Sequence, residues 1–265
     1  MKIDPHHSQA SERASDAMLD NGAAPPAAPL LLIVGLGNPG SEYSSHRHNV
    51  GFQVIDSLAE SHDLSFARHK PAKARVAEGQ IEEQRVLLAK PQTFMNLSGK
   101  TVLRLSRERD IPPECILVVC DDLDLPLGRL RIRPQGGSGG HKGLRSIIEL
   151  LDSQDFARLR VGIDRPTGSL DPAEYVLQPF AEEETAIATA ALERAVQAVE
   201  TWLADGIVAA MDRFNRPQPA GDETPDEQGT DAEHGERQED AGEPKLLPFS
   251  SAPLRPVAGC QEEGP

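Results

Sequence analysis

At 265 residues, with 38% hydrophobic content and a net charge of −15, the chain is long enough for one large domain or two small ones but too polar for all of it to pack into a core. Unbroken apolar runs such as Leu30 to Val34 are far too short to cross a bilayer, which excludes a transmembrane helix. Three cysteines, one of them near the C-terminus, make no paired framework and point to buried thiols in a reducing, cytoplasmic setting.

Residues 1–29 end in "NGAAPPAAP" and lack both a basic leader and an apolar stretch, so they predict a disordered extension without a signal peptide. A strand follows over Leu30–Leu36, and then a helix over Asn49–His62, where Val50, Val54 and Leu58 recur every fourth residue. Residues 73–80 and 85–90 predict two strands joined by a short turn. A helix over Asn96–Arg109 leads to an apolar strand at Ile116–Cys120, and a further strand spans about Arg129–Arg133. A helix over Lys142–Leu151, a strand over Leu159–Ile163 and a helical pair at 182–203 and 205–214 complete the series. From Arg216 onward twelve acidic and four basic residues are mixed with Pro and Gly, which predicts a disordered acidic tail over 216–265. The middle, 30–215, is therefore expected to be one α/β domain with a twisted, mixed, mostly parallel sheet flanked by helices.

With the termini set aside, about −5 of the charge remains in residues 30–215. Nucleic-acid binding then depends on whether the cations cluster. Arg129, Arg131 and Arg133 alternate along a predicted strand and share one face, Lys142 and Arg145 begin the next helix, and Arg158 and Arg160 alternate again.

Three loops leave predicted strands at what should be one edge of the sheet. The first, "GLGNPGSEYSSHRHN", formally matches a dinucleotide-binding glycine pattern. The context contradicts that reading: Pro39-Gly40 follows at once, "SEYSS" has no helical pattern, and Asp56 lies inside a helix and not at a strand end. The second, "KPQTFMNLSG", presents Asn96 and Ser98, either of which would serve as an ordinary helix cap. The third, "CDDLDLPLGRLRIRPQGGSGGHKGL", opens on carboxylates and ends in a glycine loop around Gly139, a place for backbone to lie close to a ligand.

These segments, together with "FARLRVGIDRP", resemble the bacterial-type peptidyl-tRNA hydrolase family in order and spacing over residues 31 to about 214. The resemblance implies a monomeric cytoplasmic enzyme that cleaves the ester between a peptide and the 3′ ribose of tRNA. It implies no cofactor and no metal, since an activated ester needs only a positioned water and a general base. It places the base at His48 and the carboxylate that orients it at Asp121. Asn38 and Asn96 match the amides that hold the peptide's backbone, with Tyr43, Phe94, Met95, Gly139 and Lys142 expected around them. Arg131, Arg133, Lys142, Arg145 and Arg160 are expected on the acceptor region of the tRNA, read through its backbone. His46 is expected on the surface and receives no role.

Two positions depart from the family pattern. Lys142 stands where the family usually carries Asn and cannot accept a hydrogen bond. Cys120 stands where His is frequent; a Cys120–His48 nucleophile pair is the alternative there to a buried strand thiol. A tRNA-binding protein with weakened hydrolysis is the second functional reading, separated from the first by turnover.

Overall fold

The computed structural model describes residues 29–216. The expected extension and acidic tail, and Cys260, fall outside the described residues apart from Pro29 and Arg216. Seven strands, β1 (Leu31–Gly35), β2 (Ala67–His69), β3 (Ala74–Ile81), β4 (Gln84–Pro91), β5 (Ile116–Asp122), β6 (Leu130–Arg133) and β7 (Ala157–Gly162), form one sheet in the order β2-β3-β4-β1-β5-β7-β6. The sheet is mixed, as expected: β4, β1, β5 and β7 run parallel in the middle, and antiparallel pairs close both margins.

The middle strands carry apolar residues on both faces because helices cover both, and their charged residues gather toward the strand ends and on β7. Helices α1 (Val50–Ser61) and α5 (Thr185–Phe214) pack with Ile33, Leu117, Val119, Leu159 and Val161 on one face. On the other, α2 (Ser98–Glu108) and α3 (Lys142–Leu151) pack with Leu32, Val34, Val118 and Cys120. The predicted helical pair is present: α5 consists of two helical stretches that meet at Gly206, where the backbone is not helical (φ 84°). Among the described residues no helix is long and apolar enough to cross a membrane.

The glycines of the opening loop serve packing. A Cβ on Gly35 would collide with the backbone oxygen of Gly51, and one on Gly51 would collide with Val119 O and Leu36 N. Only this bare crossing lets the start of α1 lie against the end of β1, which sets the loop after β1 beside the residues that precede the helix.

Three sequence expectations change here. Strand β2 and the short helix α4 (Pro172–Tyr175) were not predicted. Arg129 precedes β6 and does not share its basic face; its guanidinium donates to Asn215 O at 2.9 Å, at the end of α5. Asn215 also closes the open edge of the sheet: its side chain accepts from Ile132 N at 2.7 Å and donates to Ile132 O at 3.0 Å.

Candidate active site

The carboxyl ends of β1, β4 and β5 open into a cleft of about 730 Å³, the position where open α/β sheets place ligands. Asn38 follows β1, Met95 and Asn96 follow β4, Asp121 and Asp122 end β5, and Gly139 to Lys142 lead into α3; all line the cleft with His48, Phe94 and Arg160. Asp171 to Ala173 with Val176 and Leu177 form the remaining wall. This wall was missed because "DRPTGSLDPAEYVLQPF" is short, broken by Pro and Gly and without periodicity; Asp171 capping Ala173 N at 2.7 Å is its one local signal.

At the centre, Asp121 is buried and its Oδ1 lies 2.8 Å from His48 Nδ1 and 3.1 Å from His141 Nε2. Strand β5 extends through Asp122, past the expected end at Cys120, so Asp121 is held by the sheet and not by a solvated turn. Burial alone would raise the Asp121 carboxyl, but the two imidazoles and their hydrogen bonds outweigh it and hold the group well below the ordinary carboxylate range. An ionised carboxylate only accepts, so His48 donates through Nδ1 and its Nε2 keeps the lone pair.

His141 is a site residue that sequence reasoning missed, since it was quoted only as the end of a glycine loop. It is the N-cap of α3, and its Nδ1 accepts from Gly143 N at 3.1 Å and Leu144 N at 3.3 Å. Two donors on Nδ1 force the ring proton onto Nε2, where it is donated to Asp121. The same fact bears on metal binding, because the ligand atoms of His48, Asp121 and His141 lie within 4.8 Å of one another. A metal on His141 Nε2 would need a proton on Nδ1, facing two N–H groups. The cluster is thus arranged to hold protons.

Asn38 and Asn96 both border the cleft, but they offer different chemistry. Asn38 Oδ1 accepts from Met95 N at 3.1 Å, which fixes the orientation of the amide and leaves the Nδ2 donors without a partner among the described residues. Asn96 is exposed and has no hydrogen-bond partner among the described residues, so both ends of its amide are available. Phe94 is 68% exposed at the rim, whereas Met95 is buried in the core beneath α3 and reaches the cleft from below. Tyr43 is not among the lining residues. Its ring packs edge-on against His46 at 5.3 Å, and His46 is half-buried, beside a 3-10 turn at Arg47–Asn49, and not on an extended surface loop.

The arginine pattern divides. Arg131 stands opposite Arg160, and Arg133 opposite Arg158, across the β6–β7 ladder, so all four belong to the same face of the sheet. Arg131 and Arg133 are exposed, while Arg160 pairs with Asp122 at 3.1 Å and donates to Gly137 O at 3.0 Å. Gly139, with φ 58°, sits against this guanidinium, and a Cβ there would lie 2.9 Å from it. Arg158 is 1% exposed and donates to the carbonyls of Gly136, Gln154 and Phe156, so it is a brace for the glycine loop and not a surface cation. Lys142 lines both the cleft and a smaller adjoining pocket with Asn96, Arg145, Ser146 and Glu149. Its ammonium has no ion-pair partner among the described residues. Cys120 is fully buried and burial pushes its thiol up, which removes the thiolate that a Cys120–His48 pair would need.

Arg47, next to His48, is buried over the rings of Tyr175 and Phe180, 4.3 and 4.8 Å from their centroids, and pairs through both terminal nitrogens with Glu184. His48 N donates to Val176 O at 2.9 Å, and Arg47 N to Gln178 O at 3.0 Å. The cleft wall beyond α4 and the turn carrying His48 are therefore fastened to each other.

Comparison with known proteins agrees with this geometry. The family model described as peptidyl-tRNA hydrolase matches residues 32–222. The chain is 51% identical over 211 residues to a peptidyl-tRNA hydrolase of Roseiflexus castenholzii, covering 77% of this chain and 98% of that one. A relative of the same name from Chloroflexus aggregans is 50% identical over 187 residues, covering 70% of this chain and 99% of that one. Among solved structures, peptidyl-tRNA hydrolase from Acinetobacter baumannii superposes with a TM-score of 0.68 at 36% identity, covering 72% of this chain and 97% of that chain.

Proposed function

Because the chain belongs to the peptidyl-tRNA hydrolase family, we propose that its cleft hydrolyses the ester between a peptide, or an N-blocked amino acid, and the 3′ ribose of tRNA. The observation that carries this reading is the His48–Asp121 hydrogen bond of 2.8 Å, which leaves His48 Nε2 uncommitted at the cleft. A water bound there loses its proton to Nε2 as its oxygen attacks the ester carbonyl, and the forming imidazolium is stabilised by the Asp121 carboxylate. The proton then passes from Nε2 to the departing ribose oxygen. General acid–base catalysis of this kind contributes about 10²- to 10⁴-fold, and an activated ester asks for little more.

Asn38 Nδ2 donates to a substrate carbonyl oxygen, and Asn96 takes the peptide's backbone from the opposite side. Phe94, Met95, Val176 and Leu177 supply an apolar bed for the peptide. A free α-ammonium would meet these groups unpaired, a sufficient reason to prefer blocked over unblocked aminoacyl-tRNA. The acceptor region of the tRNA lies along Arg131, Arg133 and Arg145, with Lys142 at the boundary between peptide and RNA. The enzyme acts as a cytoplasmic monomer. The test is release of an N-acetylated amino acid from tRNA by purified wild type and His48→Ala, with unblocked aminoacyl-tRNA as control. Selective wild-type turnover, lost in the variant, is expected; tRNA binding with no release would overturn the enzymatic reading.

A further inference from the structure

Asn49 holds the N-cap position of α1, where an asparagine normally accepts from the first N–H groups of the helix, yet its side chain makes no such bond. At 2% exposure it turns instead toward the loop after β1. Its Oδ1 accepts from Asn38 N at 2.9 Å and its Nδ2 donates to Asn38 O at 2.9 Å. Both ends of the amide are committed to one residue eleven positions away, so its orientation is unambiguous, and the backbone of Asn38 is gripped on both sides as it would be by a neighbouring strand.

The grip continues into the side chain of Asn38. Its Oδ1 accepts from Met95 N at 3.1 Å, which turns Nδ2 away from Met95 and leaves that nitrogen without a partner among the described residues. Asn38 and His48 line the same cleft, and Asn49 directly follows His48 in the chain. One buried amide therefore connects the segment carrying the base with the segment carrying a substrate donor.

We propose that Asn49 is a positioning residue for substrate recognition: it fixes Asn38 so that the Nδ2 donors of Asn38 meet a substrate carbonyl oxygen at a set place relative to His48. The inference rests on the reading of Asn38 as a substrate donor.

The experiment is a double-mutant cycle on kcat/KM for N-acetyl-aminoacyl-tRNA, using Asn38→Ala, Asn49→Ala and the double variant, with thermal unfolding measured on each. Each single variant is expected to lose at least about 10-fold, and the double to match Asn38→Ala alone, because Asn49 has nothing left to position. If Asn49→Ala costs the same factor in both backgrounds, the positioning role is overturned and the role of Asn38 stands. If Asn38→Ala keeps wild-type kcat/KM, the reading of Asn38 fails and takes the inference with it. Should Asn49→Ala fail to fold, Asn49→Asp decides by the same comparison: it can still accept from Asn38 N but sets a carboxylate oxygen against Asn38 O.

Discussion

Replacing Asp121 by Asn tests how the two histidines share one carboxylate. In a His–Asp pair an Asn can present its NH₂ to the imidazole and force the wrong tautomer, and a loss of about 10⁴-fold in kcat follows. Here His141 resists that rearrangement. Its Nδ1 is held by Gly143 N and Leu144 N, so its Nε2–H demands an acceptor at the position of Asp121 Oδ1. That demand turns the amide oxygen toward both rings and keeps His48 in the productive tautomer. What Asp121→Asn then loses is the negative charge opposite the forming imidazolium, a charge-assisted hydrogen bond of about 1.5–3 kcal/mol, or roughly 10- to 150-fold in kcat. Single-turnover release of N-acetyl-aminoacyl groups at saturating enzyme measures it. Adding His141→Ala frees the amide to flip, and the double variant should fall toward the ~10⁴-fold loss. A folded Asp121→Asn single variant already reduced by about 10⁴-fold would refute the locked tautomer.

Other outcomes follow from the same contacts. Arg158→Ala strands the carbonyls of Gly136, Gln154 and Phe156 and should cost about 2–4 kcal/mol in urea unfolding. Arg133→Ala, at an exposed position, should leave stability within about 0.5 kcal/mol, raise KM and lower the salt slope of tRNA binding by about 1. Lys142→Asn removes an unpaired exposed cation and should likewise leave unfolding unchanged while lowering that slope by about 1. The folded-state pKa of Asp121 is depressed, so its contribution to stability is complete above the ordinary carboxylate value of about 3.9 and is lost as pH falls below it. Melting temperatures measured from pH 6 to pH 2 should show this acid arm in wild type and a shallower one in Asp121→Asn.

Much of the frame is legible in the sequence because it rests on local pattern. The apolar runs at Leu30–Val34 and Ile116–Cys120 and the fourth-residue spacing in α1 need no tertiary information, and His48, Asp121, Asn38 and Asn96 follow from motifs in recognisable order. The rest depends on what distant segments bring. Arg158 and Arg160 read identically as alternating strand residues; only the loop folded over β7 makes the first a brace and leaves the second at the cleft. Asn49 reads only as the first residue of a helix until the bare Gly35–Gly51 crossing carries it to Asn38. His141 reads as a loop residue because the same ring both caps α3 and reaches Asp121, and neither contact has a spacing to betray it. Strand β2, at three residues, is too short for any periodicity, and only its pairing with β3 defines it.

The amide of Asn215 does for β6 what Asn49 does for Asn38, at the place where a sheet is most exposed to intruders. By occupying both the N–H and the C=O of Ile132 it denies another molecule's strand the pair of groups needed to begin zipping onto the margin. A chain shortened to end before Asn215 would keep every residue of the cleft and lose that guard. Its failure would then appear as slow self-association in concentrated solution, with turnover by the chains that stay unassociated intact.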